Sequence, residues 1–339
     1  MPISSTAASD ETGDYSLTRT EFQIVRAVAK HPCTLWEVLS AVDGPIQGIY
    51  RACQDLKERG WLVFRKGRIH PGKLPRKLLR AFQIDFSALL EKFRALSQEA
   101  PPPTTQYFQE PMLPEDLLRR VQFMWERGDL FDREIFVLGD DDLFSLAAGL
   151  TGLPKRIVVG EIDPRLVAYI QEQAARVSLC VEAFCYNAAE SLPPALRRAF
   201  DVFVMDPVET VPGFTAWLSR GLAALRHPGA IYFGLTELEC PPKYWHRFQQ
   251  LLNETGLVIT DILRGFTRYQ NASLAPAAKW NKSKLVQQAP FPALQEEQNF
   301  WYRSSFVRAE TLKTPKVPVR GRVKFGRSFY ESPFTMTLS

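Results

Sequence analysis

The chain has 339 residues, 45% of them apolar, and no apolar run long enough to span a bilayer, so it can bury a sizeable core and offers no candidate membrane helix. Five cysteines without CxxC spacing and four histidines speak against a disulfide framework or a metal centre, and no metal is expected. The net charge of +5 is uneven: residues 1–106 carry 15 basic and 11 acidic side chains, 107–269 carry 16 and 22, and 270–339 carry 11 and 4, so the middle suits cationic ligands and is ill suited to polyanions.

Residues 1–16 are polar, lack the basic-then-apolar order of a signal peptide, and are expected to be disordered at the start of a cytoplasmic protein. Residues 17–99 are expected to form a winged-helix domain and a connector helix. Helical patterns cover Glu21–Ala29, Thr34–Ala41 and Pro45–Arg59, the second opening with Thr34 and Glu37 as a capping box. Two short strands, Trp61–Arg65 and Arg68–His70, then meet at Gly67. In a DNA reader the third helix would enter the major groove, but here it mixes Arg51 and Lys57 with Asp55 and Glu58, so nucleic acid is not the favoured partner. Phe82–Leu96 is the amphipathic connector, and the proline-rich segment 100–106 is taken as the domain boundary.

From 107 to 270 strands and helices alternate at the spacing of a doubly wound parallel sheet. The expected strands are Ile135–Leu138, Ile157–Val159, Val181–Phe184, Asp201–Met205, Ala230–Gly234 and Leu257–Leu263. The first ends in Gly139 and three aspartates, Asp140, Asp141 and Asp142; the second in Glu161 and Asp163; the third in Asn187; the fourth in Asp206 and Glu209; the fifth in Glu237. The order of these tips matches the Rossmann-like fold of S-adenosylmethionine methyltransferases. In that layout Glu161 or Asp163 takes the ribose hydroxyls, Asn187 the adenine edge, and the fourth tip faces the reacting centre. A triple aspartate in the first loop departs from the glycine-rich methyltransferase loop. Two like charges 4 Å apart repel by about 4 kcal/mol at an effective dielectric near 20, so this loop should reject a ligand carboxylate and accept an ammonium.

The runs LGDDDLFSLAAGLTG, VVGEIDPRL, FDVFVMDPVET, FGLTELE and ITDILRGFTRY together resemble the branched-chain polyamine synthase family over roughly residues 18–270. The resemblance implies a winged-helix domain, a Rossmann-like catalytic domain bearing the GDDD motif, and a flexible C-terminal region, here 271–339. It implies aminopropyl transfer from decarboxylated S-adenosylmethionine, a co-substrate rather than a tightly bound cofactor, to a secondary amine of spermidine. Because the acceptor amine must lose a proton, Asp141 is the expected base, with Asp140, Asp142, Asp206 and Glu209 as electrostatic anchors. Gly139, Glu161, Asp163, Asn187 and Asp206 are expected against the donor, and Asp206, Glu209 and Glu237 around the polyamine, where Tyr107 and Gln109 either shape the acceptor channel or, as the better reading, pack the domain; a homodimer is expected. Val208 stands where the family has a second proline, and Asn187 where an acidic residue is common. In the basic tail, Phe325, Phe329, Tyr330 and Phe334 are expected to pack on the cleft rim while Lys324 and Arg327 meet its acids. Two other classes stay open: an amino-group methyltransferase acting on nucleic acid, with Asp206–Glu209 as a degenerate DPPY loop, and a winged-helix DNA-binding regulator.

Overall fold

Thr18 and Thr34 each open a helix by a reciprocal capping box, the hydroxyl taking the N–H of Glu21 or Glu37 and the glutamate returning to the threonine N–H. These helices, α1 (Arg19–Lys30) and α2 (Leu35–Ala41), lie in the first of two units of a computed structural model that describes residues 16–270, 288–292 and 301–333. Most of the expected disordered N-terminus, and Phe334, lie outside the described residues. With α3 (Ile46–Glu58), an antiparallel pair β1 (Leu62–Arg65) and β2 (Arg68–Pro71), and α4 (Arg76–Ala81), they bury Phe22, Val25, Val28, Ile49 and Leu56. The first unit ends at Ile84, apart from Glu126–Gly128.

The connector helix α5 (Phe86–Gln98) belongs to the second unit, so the segment 100–106 is not the boundary the sequence suggests. The reason is packing: α5 buries Leu89, Phe93 and Leu96, and the Leu96 carbonyl accepts the hydroxyl of Tyr169, which lies on a helix of the same unit. After α6 (Pro114–Glu126), the chain alternates β3 (Glu134–Leu138), α7 (Phe144–Leu150), β4 (Arg156–Glu161), α8 (Pro164–Arg176), β5 (Val181–Cys185), β6 (Phe200–Met205), α9 (Val211–Ala224), β7 (Leu225–Thr236), α10 (Pro242–Thr255), β8 (Leu257–Arg268) and β9 (Arg303–Thr311). The sheet has seven strands in the order β5-β4-β3-β6-β7-β9-β8; the first five are parallel, and β9 runs antiparallel to both its neighbours. The order reverses between β3 and β6, which opens a crevice at the carboxyl ends of those two strands.

The sheet does not stop at residue 270: its seventh strand falls inside the expected C-terminal extension. Its sequence hides it, because RSSFVRAET turns Ser304, Ser305 and Arg308 inward among the apolar residues. The buried Arg308 is tolerated because its Nε donates to Asp129 Oδ2 and lies near the Tyr232 hydroxyl, both at 2.9 Å. The chain beyond β9 also packs. Buried Arg220 on α9 donates to the carbonyls of Ala188 and Val319 at 3.0 Å, Ala189 at 3.3 Å and Gly321 at 2.9 Å, tying the tail to the loop after β5. Phe325 and Phe329 then stack at 3.7 Å against each other and lie beside Trp217, ending in a short helix α11 (Arg327–Tyr330).

Candidate active site

Parallel strands end in a shared plane, so the acidic tips read in the sequence meet there for a backbone reason. Gly139 turns the chain out of β3 at φ +72°, a left-handed conformation costly for other residues, and its N–H reaches the Gly160 carbonyl at 2.9 Å. Asp140 folds back and accepts the Ser145 N–H, fixing the start of α7, while its own N–H donates to Glu161 Oε2 at 2.7 Å. The other oxygen of Glu161 takes the Asp163 N–H at 2.9 Å. Asp140 is therefore buried scaffolding beneath the loop rather than an exposed acid.

Asp141 and Asp142 face the segment before α6. The Glu110 N–H donates to Asp141 Oδ2 at 3.0 Å and the Met112 N–H to Asp142 Oδ1 at 2.5 Å. Gln109 continues this strap, taking the Thr104 N–H at 2.9 Å and donating to Asp163 Oδ2 at 3.0 Å. Tyr107 is half-buried one turn earlier, and Phe108 stacks on Tyr330 with centroids 5.1 Å apart. Asp163 is committed to structure: it caps α8 and binds the Arg165 guanidinium, with Nη2 at 2.6 Å.

At the tip of β6, Asp206 Oδ2 accepts the Tyr269 hydroxyl at 3.0 Å and Arg120 Nη1 at 3.4 Å. Arg120 is itself buried, donating to Thr267 at 2.8 Å and Ser304 at 3.0 Å. Gly234 on β7 leaves the space that Asp206 Oδ1 fills; a Cβ there would overlap it. Glu209 accepts both the backbone N–H and the hydroxyl of Thr236. Glu239, the last residue of the run FGLTELE but not among the expected site residues, accepts the Tyr302 hydroxyl at 2.9 Å.

Two expected contacts fall away from this centre. Asn187 is exposed and its amide oxygen caps the Ala189 N–H at 2.8 Å, a local turn that leaves it at the edge. Glu237 points to the β8 bend, accepting the Gly265 N–H at 2.8 Å and pairing with Arg264 at 3.4 Å. Arg327 pairs with Glu331 within the tail at 2.7 Å, instead of meeting the cleft acids as expected, because its neighbour one helical turn on is the nearer carboxylate. Arg120 and Tyr302 join the site without a signal of their own, and Tyr269 is marked only as the end of the run ITDILRGFTRY: a buried arginine inside an acidic cluster is invisible to charge counting.

The electrostatics follow from crowding. Burial, then Glu161 and Asp206, push the Asp141 carboxyl up to about 7. Burial, with Asp141 and Asp206 adding and Arg120 opposing, raises Asp142 well above the carboxylate range. Burial raises Glu209 to about 8, with Glu239 and Asp206 adding to it. Tyr302 is raised by burial, then by Glu239, Glu209 and Glu110, which gathers those three acids around one phenol. Burial is the first cause of these shifts, and the neighbouring acids add to it, so the tips of β3, β6 and β7 bring several mutually repelling carboxyls together.

Residues 88–332 match the family described as Branched-chain polyamine synthase A C-terminal domain. The chain is 33% identical over 326 residues to the N(4)-bis(aminopropyl)spermidine synthase of Thermococcus kodakarensis, covering 89% of this chain and 90% of that protein. It is 40% identical over 225 residues to the enzyme of the same name from Thermus thermophilus, covering 66% and 63%. The crystal structure of the branched-chain polyamine synthase from Thermus thermophilus, in complex with N4-aminopropylspermidine and 5'-methylthioadenosine, superposes with a TM-score of 0.65 at 31% identity over 91% of each chain.

Proposed function

The chain belongs to the branched-chain polyamine synthase family, and from that premise we propose that it moves aminopropyl groups from decarboxylated S-adenosylmethionine to a secondary amine of spermidine. The observation that carries this reading is the convergence of Asp141, Asp142, Asp206 and Glu209 on one cleft at the switch point of the sheet. A polyamine supplies the positive charges that such a cluster lacks.

The reaction is a direct substitution. The acceptor nitrogen attacks the aminopropyl carbon attached to sulfur, the N–C bond forms, the C–S bond breaks, and methylthioadenosine leaves with the electron pair. The acceptor amine, protonated near neutral pH, must first give up a proton. Asp141 is suited to take it: its Oδ2 is held by the Glu110 N–H, its Oδ1 bonds to no side chain among the described residues, and its affinity for a proton is set near 7. Asp142 and Asp206 would hold the flanking ammonium groups, with Arg120 and Tyr269 fixing Asp206. Glu161, at the end of β4, would face the donor ribose with the lone pairs that Asp140 and Asp163 leave.

Three helices followed by a strand pair support a winged-helix reading of residues 19–71. Calorimetric titration tests the donor: decarboxylated S-adenosylmethionine should bind far more tightly than the intact molecule, whose carboxylate would meet the aspartate loop. Equal affinities would remove the electrostatic basis of the proposal.

A further inference from the structure

A second cavity lies at the opposite end of the same sheet. It is bounded by the residues that lead into β6 and β7 and by the chain that leaves β9, so it opens at the amino ends of the parallel strands. Its volume is about 230 Å³, and its floor is apolar, built from Leu222, Leu225 and Val317. Its rim carries Arg197, Arg198 and Arg320, all exposed, and no aspartate or glutamate lines it.

These three arginines differ from many others of the unit. Arg120, Arg156, Arg165, Arg176, Arg268 and Arg308 each pair with a carboxylate. Arg197 donates only its Nε, to the Leu192 carbonyl at 3.2 Å, and none of the three has a carboxylate partner among the described residues. Arg198 is held at φ +53°, a conformation uncommon for a residue with a side chain. Arg220 also borders the cavity, but four of its five N–H groups go to carbonyls, so it builds the wall and leaves the charge to the rim.

We propose that this cavity binds a small organic phosphate, its phosphate held by the guanidinium forks of Arg197, Arg198 and Arg320 and its apolar body lying on Leu222, Leu225 and Val317. Planar guanidinium groups match phosphate oxygens two at a time, and a space of this volume, below the usual range of about 300–1,000 Å³ for drug-sized ligands, suits a compact molecule. The wall residues Val317, Val319 and Arg320 are part of the tail that continues to Phe325 and Tyr330, so the ligand would steady that segment.

The test is calorimetric titration of the full chain, at fixed ionic strength, with phenyl phosphate, inorganic phosphate, benzyl alcohol and a single-stranded DNA oligomer. Phenyl phosphate should saturate at one site per chain and bind about tenfold more tightly than inorganic phosphate, the worth of a modest apolar contact. Benzyl alcohol should not bind. The triple substitution Arg197→Gln, Arg198→Gln, Arg320→Gln should weaken phenyl phosphate by about tenfold or more, the loss expected from removing charge-assisted hydrogen bonds. Hydrogen exchange of residues 314–323 should slow with phenyl phosphate in the native chain only. Arg198→Gln alone, at an exposed side chain, serves if the triple variant does not fold. Unsaturable binding, equal affinity in the variant, equal affinity for both phosphates, or tighter binding of the oligomer at the same arginines would each overturn the proposal.

Discussion

Asp141 and Asp206 share one cleft but stand in different settings. Asp206 is clamped by Arg120 and Tyr269, whereas Asp141 has a backbone N–H on one oxygen and acids around it. Asp141→Asn keeps an oxygen for the Glu110 N–H and removes a like charge, so thermal stability should hold while turnover falls about a hundredfold or more, the usual worth of a general base. Steady-state assays beside melting curves check this, and near-native turnover would move the base elsewhere. Arg120→Gln should do the reverse in stability. It strips buried hydrogen bonds from Thr267 and Ser304 and the cation from Asp206, at a cost of about 3 kcal/mol that denaturant titration would read. The raised acids also set a pH dependence. Asp141 and Glu209 bind protons more tightly folded than unfolded, so the stability they contribute is full below their ordinary range near 4 and is lost as pH rises through about 7 and about 8. Asp116 and Asp163 act oppositely: although burial works to raise them, Arg268 and Arg165 hold them low, and their contribution is lost only in acid. The free protein should therefore melt at lower temperature as pH is raised from about 6 to about 9, and added spermidine should restore most of the loss. A melting temperature indifferent to spermidine at the upper end would contradict polyamine binding at this cluster.

Among the elements, the strap from Thr104 to Met112 and the tail from Val317 to Tyr330 are the least legible in the sequence. The parallel strands are readable because most are apolar runs ending in glycine or acid, and the tips fall where the chain must turn. The strap holds through backbone N–H groups of Glu110 and Met112, which any residue but proline supplies, so no side-chain pattern marks it. The tail's aromatic packing is legible in Phe325, Phe329 and Tyr330, but its anchor is a set of carbonyls gathered by Arg220. Ending the chain after Leu312 should thus destabilise the fold by about 3 kcal/mol or more, because Arg220 loses two carbonyls and Trp217 its ring partners. Phe108→Ala is the milder probe. It removes one stacked pair, worth about 1 kcal/mol, and should speed hydrogen exchange at 325–330 while leaving the global melt nearly unchanged.

Across the whole molecule, charge counting alone gives the sign of the ligand, because the excess of acids in 107–269 is concentrated at the strand tips. Counting does not separate structural acids from those facing the cleft. Asp140 and Asp163 serve helix starts, Glu237 braces a bend, and Glu239 joins Tyr302, distinctions that depend on which hydrogen bonds the fold completes. The most direct test of aminopropyl transfer is product analysis, by chromatography and mass spectrometry, of the purified chain incubated with spermidine and either decarboxylated or intact S-adenosylmethionine. The decarboxylated donor should yield methylthioadenosine in step with spermidine bearing an aminopropyl group on its secondary amine, and the intact donor should yield no transfer. Methylated product with S-adenosylhomocysteine from the intact donor, or no product from either, would contradict it.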